Sequence, residues 1–460
     1  MAPMNRQHDL LNEPIPRLLR TLAIPTSIGL FFNTMFNVVD TFFAGWVSTD
    51  ALAALSLSFP VFFLIIAVGA GISAGSTALI GHALGGGRRD EASQFAMQAF
   101  SFGILHGLII SVIGLASAPA LLSFLGARNG FLAMAVSYIN VIFCGSLFFI
   151  LNYVCNSILN ATGDTRSFRN FLVAGFFLNL ALDPWFLFGG FGVPAMGLPG
   201  IALATVVVQL CGNIYLFSRV RRTGLISGFT PRQLMPRARP YLELAKLGFP
   251  ASLNMLTVTI GFFVITWFIS RFGKDAVAAY GIGVRIEQVI LLPVMGMNIA
   301  TLALVAQNNG AKLIGRVRQI ITIALKAGVA LMAVGTLIGF LAAEPLMRIF
   351  THDEAVIAKG VEFLRIESLV FAAYVILYTS VYALQGLKRP VFAVAIGFFR
   401  QFGALLPLFY LFANHWGLGL KGVWWAIFVV TWTAALMAIA YIRWLLGKLE
   451  QGDEVPRLKT

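Results

Sequence analysis

The sequence predicts an all-α integral membrane protein of twelve transmembrane helices, arranged as two six-helix lobes related by pseudo-two-fold symmetry along the membrane normal. Three observations predict it. Of 460 residues, 58% are hydrophobic and 11% charged, which excludes both a soluble core and a disordered chain. The apolar residues gather in a dozen runs, each about 20 residues or longer and so able to cross a bilayer. The second half of the chain also repeats the first at an offset of 225 residues, which sets Pro25 against Pro250, Asp50 against Asp275 and Gly85 against Gly310. Six spans per copy is an even number, so both copies enter the membrane in the same direction, with a central cleft between them; that is a transporter plan.

The spans are expected at 22–46, 52–83, 95–116, 132–160, 168–190, 197–218, 243–271, 277–306, 319–343, 361–385, 391–413 and 421–446. They divide the chain into a cytoplasmic segment 1–21, an N-terminal lobe 22–218, a cytoplasmic linker 219–242, a C-terminal lobe 243–446 and a cytoplasmic tail 447–460. The opening "MAPMNRQHDLLNEPIPRLLR" is polar and basic, so no cleavable signal peptide is expected. The net charge of +14 is a topology signal and does not point to nucleic acid. With the N-terminus inside, Arg88, Arg89, Arg219, Arg221, Arg222 and most other cations fall on one face. The opposite face receives only Arg128, Arg271, Lys274, Arg348, Lys359 and Lys421, so both termini are expected in the cytoplasm.

The first span holds Asn33, Asn37 and Asp40 inside "FFNTMFNVVDTFFAG"; their i, i+4, i+7 spacing puts them within about 60° on one helix face. After the second span, "GGGRRDEA" lacks the spacing of a phosphate loop and reads as a tight cytoplasmic turn. The third span carries a lone His106, more often a packing residue than a proton relay. In the fourth, Asn152, Asn156 and Asn160 drift slowly around the helix and either line the cleft or bond neighbouring helices. The fifth repeats the amide-and-acid pattern with Asn179 and Asp183, followed by Pro184, whose missing N–H leaves the carbonyl of Leu180 without its usual partner. The segment 219–242, rich in Arg, Pro and Gly, reads as the domain boundary. In the second copy, Glu287 and Arg400 are the deep charges, expected as a buried ion pair that pins helices, with Arg285, Arg365 or Glu367 as further members; a relay role is the alternative. Cys144, Cys155 and Cys211 are scattered in apolar runs and suggest neither disulfide nor metal. No metal-ligand spacing of histidines and no nucleophile motif points to an enzyme.

An ionised carboxylate at mid-membrane costs several kcal/mol, so Asp40 and Asp183 are expected to serve a cavity, a partner or a proton pathway. The repeat sharpens this. Asn33, Asn37, Asp40, Asn179 and Asp183 lie over Val258, Phe262, Ile265, Phe402 and Leu406, while Pro184 keeps its counterpart Pro407. Scaffolding alone does not explain a polar set that one copy keeps and the other discards.

The stretches "PTSIGLFFNTMFNVVDTFFAG", "GHALGGGRRDEA", "NATGDTR" with its counterpart "ALQGLKRP", and "LNLALDP" resemble the multidrug and toxic compound extrusion (MATE) family over essentially the whole chain. "NVVDT" and "LNLALDP" are similar to its DinF-like branch. The resemblance implies export of small amphipathic, often cationic compounds by a monomer in the inner (plasma) membrane, through alternating access, against an inward flow of H⁺ or Na⁺. No cofactor is implied beyond that ion. It further implies a coupling site of Asp40, Asn179, Asp183 and Thr205, to which the helix-face argument adds Asn33 and Asn37. Phe36 stands where some relatives have a tyrosine, and with Asn152 and Asn156 it is expected to line the substrate cavity. The seventh and tenth spans lack the acids that other branches use in a C-lobe cation site, which favours H⁺ taken in the N lobe. In that scheme Asp40 and Asp183 share a low-dielectric pocket where two like charges cannot both ionise cheaply, and protonation lets the first helix bend near Pro25 and Gly29. A lipid-linked saccharide flippase of the same broad superfamily and a Na⁺-coupled drug antiporter are the alternatives. A channel lacks its symmetric polar ring, and a membrane-embedded enzyme lacks paired catalytic residues.

Overall fold

The computed structural model describes residues 9–125, 127–226 and 231–451, and among them regular structure is helical. The N-terminal copy runs through α1 (Ile15–Val47), α2 (Thr49–Gly85), α3 (Arg89–Phe124), α4 (Asn129–Cys144), α5 (Ser146–Ala161), α6 (Arg166–Phe188) and α7 (Leu198–Arg222). The C-terminal copy follows as α8 (Ala238–Ile269), α9 (Lys274–Gly310), α10 (Ile314–Leu341), the short α11 (Ala343–Arg348), α12 (Glu354–Ser368), α13 (Phe371–Gly386), α14 (Val391–Phe398), α15 (Leu405–Phe409) and α16 (Gly419–Glu450). Large apolar side chains such as Trp46, Val112, Ile214, Phe249 and Trp267 are exposed along these helices, as a multi-pass membrane protein requires of its lipid face.

Three predicted spans differ from simple rods. The fourth is the pair α4 and α5, bent by 45°. Gly145 sits at the bend because Val206 of α7 packs against it: a Cβ there would meet Val206 Cγ1 at 2.7 Å. Hydroxyls meet the polar backbone of the bend, Ser111 donating to the Phe143 carbonyl at 2.6 Å and Ser146 to the Gly107 carbonyl at 3.0 Å. The tenth span is likewise broken between α12 and α13, where Thr336 donates to the Ser368 carbonyl at 2.7 Å and Trp432 to the Leu369 carbonyl at 3.1 Å. The eleventh span alternates α-helix with two π-turns, Phe399–Gly403 and Tyr410–His415, on either side of Pro407. Its first-copy counterpart α6 runs through Pro184 to Phe188 as one α-helix, so the opened turn expected at Pro184 appears instead around Pro407.

The chain divides into two compact units at points inside helices and not in the 219–242 segment. The first unit contains Ile28–Ser252; the second contains Leu10–Ser27 together with Leu253 onward. In the first unit, the opening of α8 crosses α2 so closely that a Cβ on Gly71 would lie 2.6 Å from the Gly248 carbonyl oxygen. In the second, the opening of α1 crosses α9 in the same way, a Cβ on Gly296 lying 2.7 Å from the Ala23 carbonyl oxygen. Small residues thus bring backbones into direct contact at two places related by the 225-residue repeat, Gly71 with Gly296 and Ser252 with Ser27. The described part of the expected linker packs on α3 of the first unit. The Gln98 amide donates to the carbonyls of Gln233 at 2.8 Å and Met235 at 2.9 Å, and its oxygen accepts from the Arg237 N–H at 2.9 Å.

Candidate coupling site

Within the first unit, α1, α6 and α7 bring four of the predicted polar residues together. Asn179 and Asp183 are one helical turn apart on α6 and both fully buried; Asp40 on α1 and Thr205 on α7 are each 5% exposed. The Asn179 Nδ2 donates to Asp40 Oδ1 and to Asp183 Oδ2, both at 2.7 Å. Thr205 Oγ1 donates to the other Asp40 oxygen at 3.3 Å and lies 3.2 Å from the carbonyl oxygen of Ile201. A single amide nitrogen therefore joins the two carboxyls, and Asp183 Oδ1 and Asn179 Oδ1 are left as buried acceptors without a partner. Buried polar atoms of that kind are rare and mark a place where a proton, water or ion fits.

The other predicted members lie elsewhere. Asn33 is exposed and Asn37 half-buried, and the Asn37 amide donates at 3.0 Å to the Asn33 carbonyl of its own helix. Sharing a helix face is not enough: Asn37 stands one turn and Asn33 two turns before Asp40, and the Asn37 amide is spent on its own helix. Phe36 is buried in the first unit's core beside Gly175. Asn152 ties α5 to α7, its amide donating to the Gln209 Oε1 at 2.7 Å and to the Gln209 carbonyl at 2.9 Å. Asn156 is buried with its Oδ1 unpartnered. Tyr138 of α4 is a residue the sequence did not single out; it is buried within electrostatic range of both Asp40 and Asp183. A tyrosine within an apolar run carries no pattern of its own, so only the bend at Gly145 could have drawn attention to that segment.

A model of the MatE family matches residues 25–185 and again 250–411, covering each copy of the repeat. The chain belongs to the MatE family. Among its relatives are a FAD transporter of Shewanella oneidensis, 29% identical over 88% of this MatE chain and 90% of its own, and the probable multidrug resistance protein NorM of Thermotoga maritima, 29% identical over 90% of each. The multidrug export protein MepA of Staphylococcus aureus is 25% identical over 95% of each chain. A MOP superfamily transporter from Pyrococcus furiosus superposes with a TM-score of 0.90, at 24% identity, over 97% of the MatE chain described here and 99% of its own. That likeness supports the two-lobed, twelve-span fold.

The second unit of the MatE chain holds its own buried polar cluster. Glu367, 2% exposed, accepts from the Tyr374 hydroxyl at 2.8 Å, and the half-buried Glu287 lies within electrostatic range of Glu367 and Arg400. Arg400, 8% exposed, donates to the Tyr378 hydroxyl at 3.4 Å, with the Tyr374 and Tyr378 ring centroids at 5.5 and 5.9 Å. Among the described residues the ion pairs of this unit, such as Lys359–Asp275, Arg348–Glu354 and Lys421–Glu362, do not include Arg400. Glu287 and Arg400 thus lie within electrostatic range of each other without an ion pair among the described residues, the Arg400 guanidinium touches tyrosines, and Arg365 lies over the Phe340 ring.

Proposed function

We propose that this chain exports small amphipathic, often cationic compounds by alternating access, driven by H⁺ entering at Asp40, Asn179, Asp183 and Thr205. The Asn179 bridge carries this reading. Two buried carboxyls share one neutral amide donor, and Asp40 also accepts from the Thr205 hydroxyl. With no cationic side chain bonded to either acid among the described residues, a proton is the smallest species that relieves their mutual repulsion. Binding or losing it changes which oxygens accept from Asn179 and Thr205, and so changes how α1 is held against α6 and α7. That mechanism fits the DinF-like branch, the multidrug relatives in Thermotoga and Staphylococcus, and a monomer in the inner membrane with both termini inside.

The test is ethidium efflux from vesicles containing wild-type, Asp40→Asn or Asp183→Asn protein, under a pH gradient alone and a Na⁺ gradient alone. Efflux driven by the pH gradient and reduced to the level of empty vesicles in both variants is the expected result. Efflux that needs Na⁺, or survives both substitutions, overturns the proton assignment. The Shewanella relative favours a second reading, export of a flavin dinucleotide, and FAD loaded into the same vesicles tests it directly.

A further inference from the structure

Arg400 has no part in that scheme, yet the fold does a good deal to place it. It sits on the π-turn Phe399–Gly403, a local widening of the helix that is common at functional sites and re-aims the side chains it carries. One turn earlier, Gly397 lets polar atoms close in: a Cβ there would lie 2.8 Å from Asn254 Oδ1 and 2.9 Å from Thr257 Oγ1. Between these groups lies a small recess lined by Arg400, Tyr378 and Asn254 among apolar side chains of α8, α13 and α14. The guanidinium is flanked by the two stacked tyrosine rings, whose centroids are 5.7 Å apart and whose planes are inclined by 13°.

A guanidinium has five N–H donors in a planar fork that matches two oxygens of one acid group. Were Arg400 only a structural pin, a carboxylate of its own unit would be expected to occupy that fork, since an unpaired buried charge is costly. Instead its hydrogen bond to Tyr378 is long, Glu367 takes its bond from Tyr374, and Glu287 lies within electrostatic range without an ion pair to it among the described residues. We propose that the Arg400 recess is a subsite for an anionic oxyacid group, a carboxylate or a phosphate, carried either by a transported compound or by a lipid headgroup. Tyr378 and Asn254 supply the second and third polar contacts, and the apolar wall takes the body of the ligand. The inference goes beyond the cation-driven scheme above, and its test is a binding measurement that does not depend on transport.

The purified full chain in neutral detergent is titrated against rhodamine B, which has a free carboxylate, and against its ethyl ester, which does not, reading fluorescence anisotropy. One charge-assisted contact corresponds to about tenfold in affinity, so wild-type protein is expected to bind the acid about tenfold more tightly than the ester. Arg400→Gln should make the two equal, with Arg400→Lys intermediate. A parallel melting series with added phosphatidylglycerol or phosphatidylcholine separates the sources: stabilisation by phosphatidylglycerol alone, lost in Arg400→Gln, assigns the subsite to a headgroup phosphate. Should Arg400→Gln fail to fold, Asn254→Leu, which fills the recess, is expected to lower affinity for the acid and not for the ester. The proposal is overturned if wild-type protein shows neither acid preference nor phosphatidylglycerol stabilisation, or if either persists in Arg400→Gln.

Discussion

A neutral amide that holds two buried acids makes Asn179 the most demanding position in the first unit. Asn179→Leu keeps the side-chain volume and removes both bonds to the carboxyls, each worth about 1.5–3 kcal/mol when the acceptor is charged. Coupled efflux in vesicles should fall at least about tenfold, while the protein remains monodisperse in detergent; unchanged efflux would mean that the bridge has no part in coupling. Tyr138→Phe removes only a hydroxyl near the same acids, so a loss of a few-fold is the expected reading in the same assay. The sequence made Asp40, Asn179 and Asp183 conspicuous because ionisable groups in apolar runs are costly, and Thr205 came through family resemblance. Asn33 and Asn37 share the Asp40 side of α1 but do not join its bonds, because the Asn37 amide caps the Asn33 carbonyl of its own helix. Tyr138 and the Tyr374 bond to Glu367 were illegible for a different reason: the first depends on how separate helices meet, the second on a contact across a break that hydropathy alone draws as straight.

At the level of helices, the two close crossings are where small changes should be felt most. Gly71→Ala and Gly296→Ala each force a methyl against a carbonyl oxygen of the crossing helix, which cannot rotate away as a side chain can. Overpacking of this kind costs about 1–3 kcal/mol, so a lowered melting temperature is expected for both variants. Replacing Ser252 by Gly in the Gly71→Ala background should restore only part of the loss, since the clash with the Gly248 backbone stays; full recovery would show that the serine alone sets the spacing. The repeat was visible in the sequence through Pro25 and Pro250, but the glycines that make these crossings possible were two among 45. The 219–242 segment was read as a free boundary because its composition is that of a loop. A buried glutamine is one of several α3 side chains that hold it, with Arg89, Ser93 and Ser101, and Gln98→Leu should loosen it: trypsin cleavage near Arg232 and Arg237 is expected to become faster than in the wild-type protein.

For the molecule as a whole, neither unit corresponds to one half of the sequence. Each borrows the opening of a helix from the other copy of the repeat, Leu10–Ser27 for the second unit and the start of α8 for the first. Fragments 1–226 and 231–460, expressed apart, should each be degraded or aggregate for want of that borrowed segment, whereas co-expression should recover soluble protein on gel filtration in detergent. Recovery of either fragment alone would show that the borrowed segment is dispensable. The arrangement also bears on how the protein is made. The segment that Gly296 receives is among the first to leave the ribosome, and at roughly 5–20 residues per second it waits tens of seconds for its partner to be synthesised. During that interval the newborn chain depends on the insertion machinery to shelter an unmatched helix, so the second unit can close only late in synthesis, when the first has already had time to assemble.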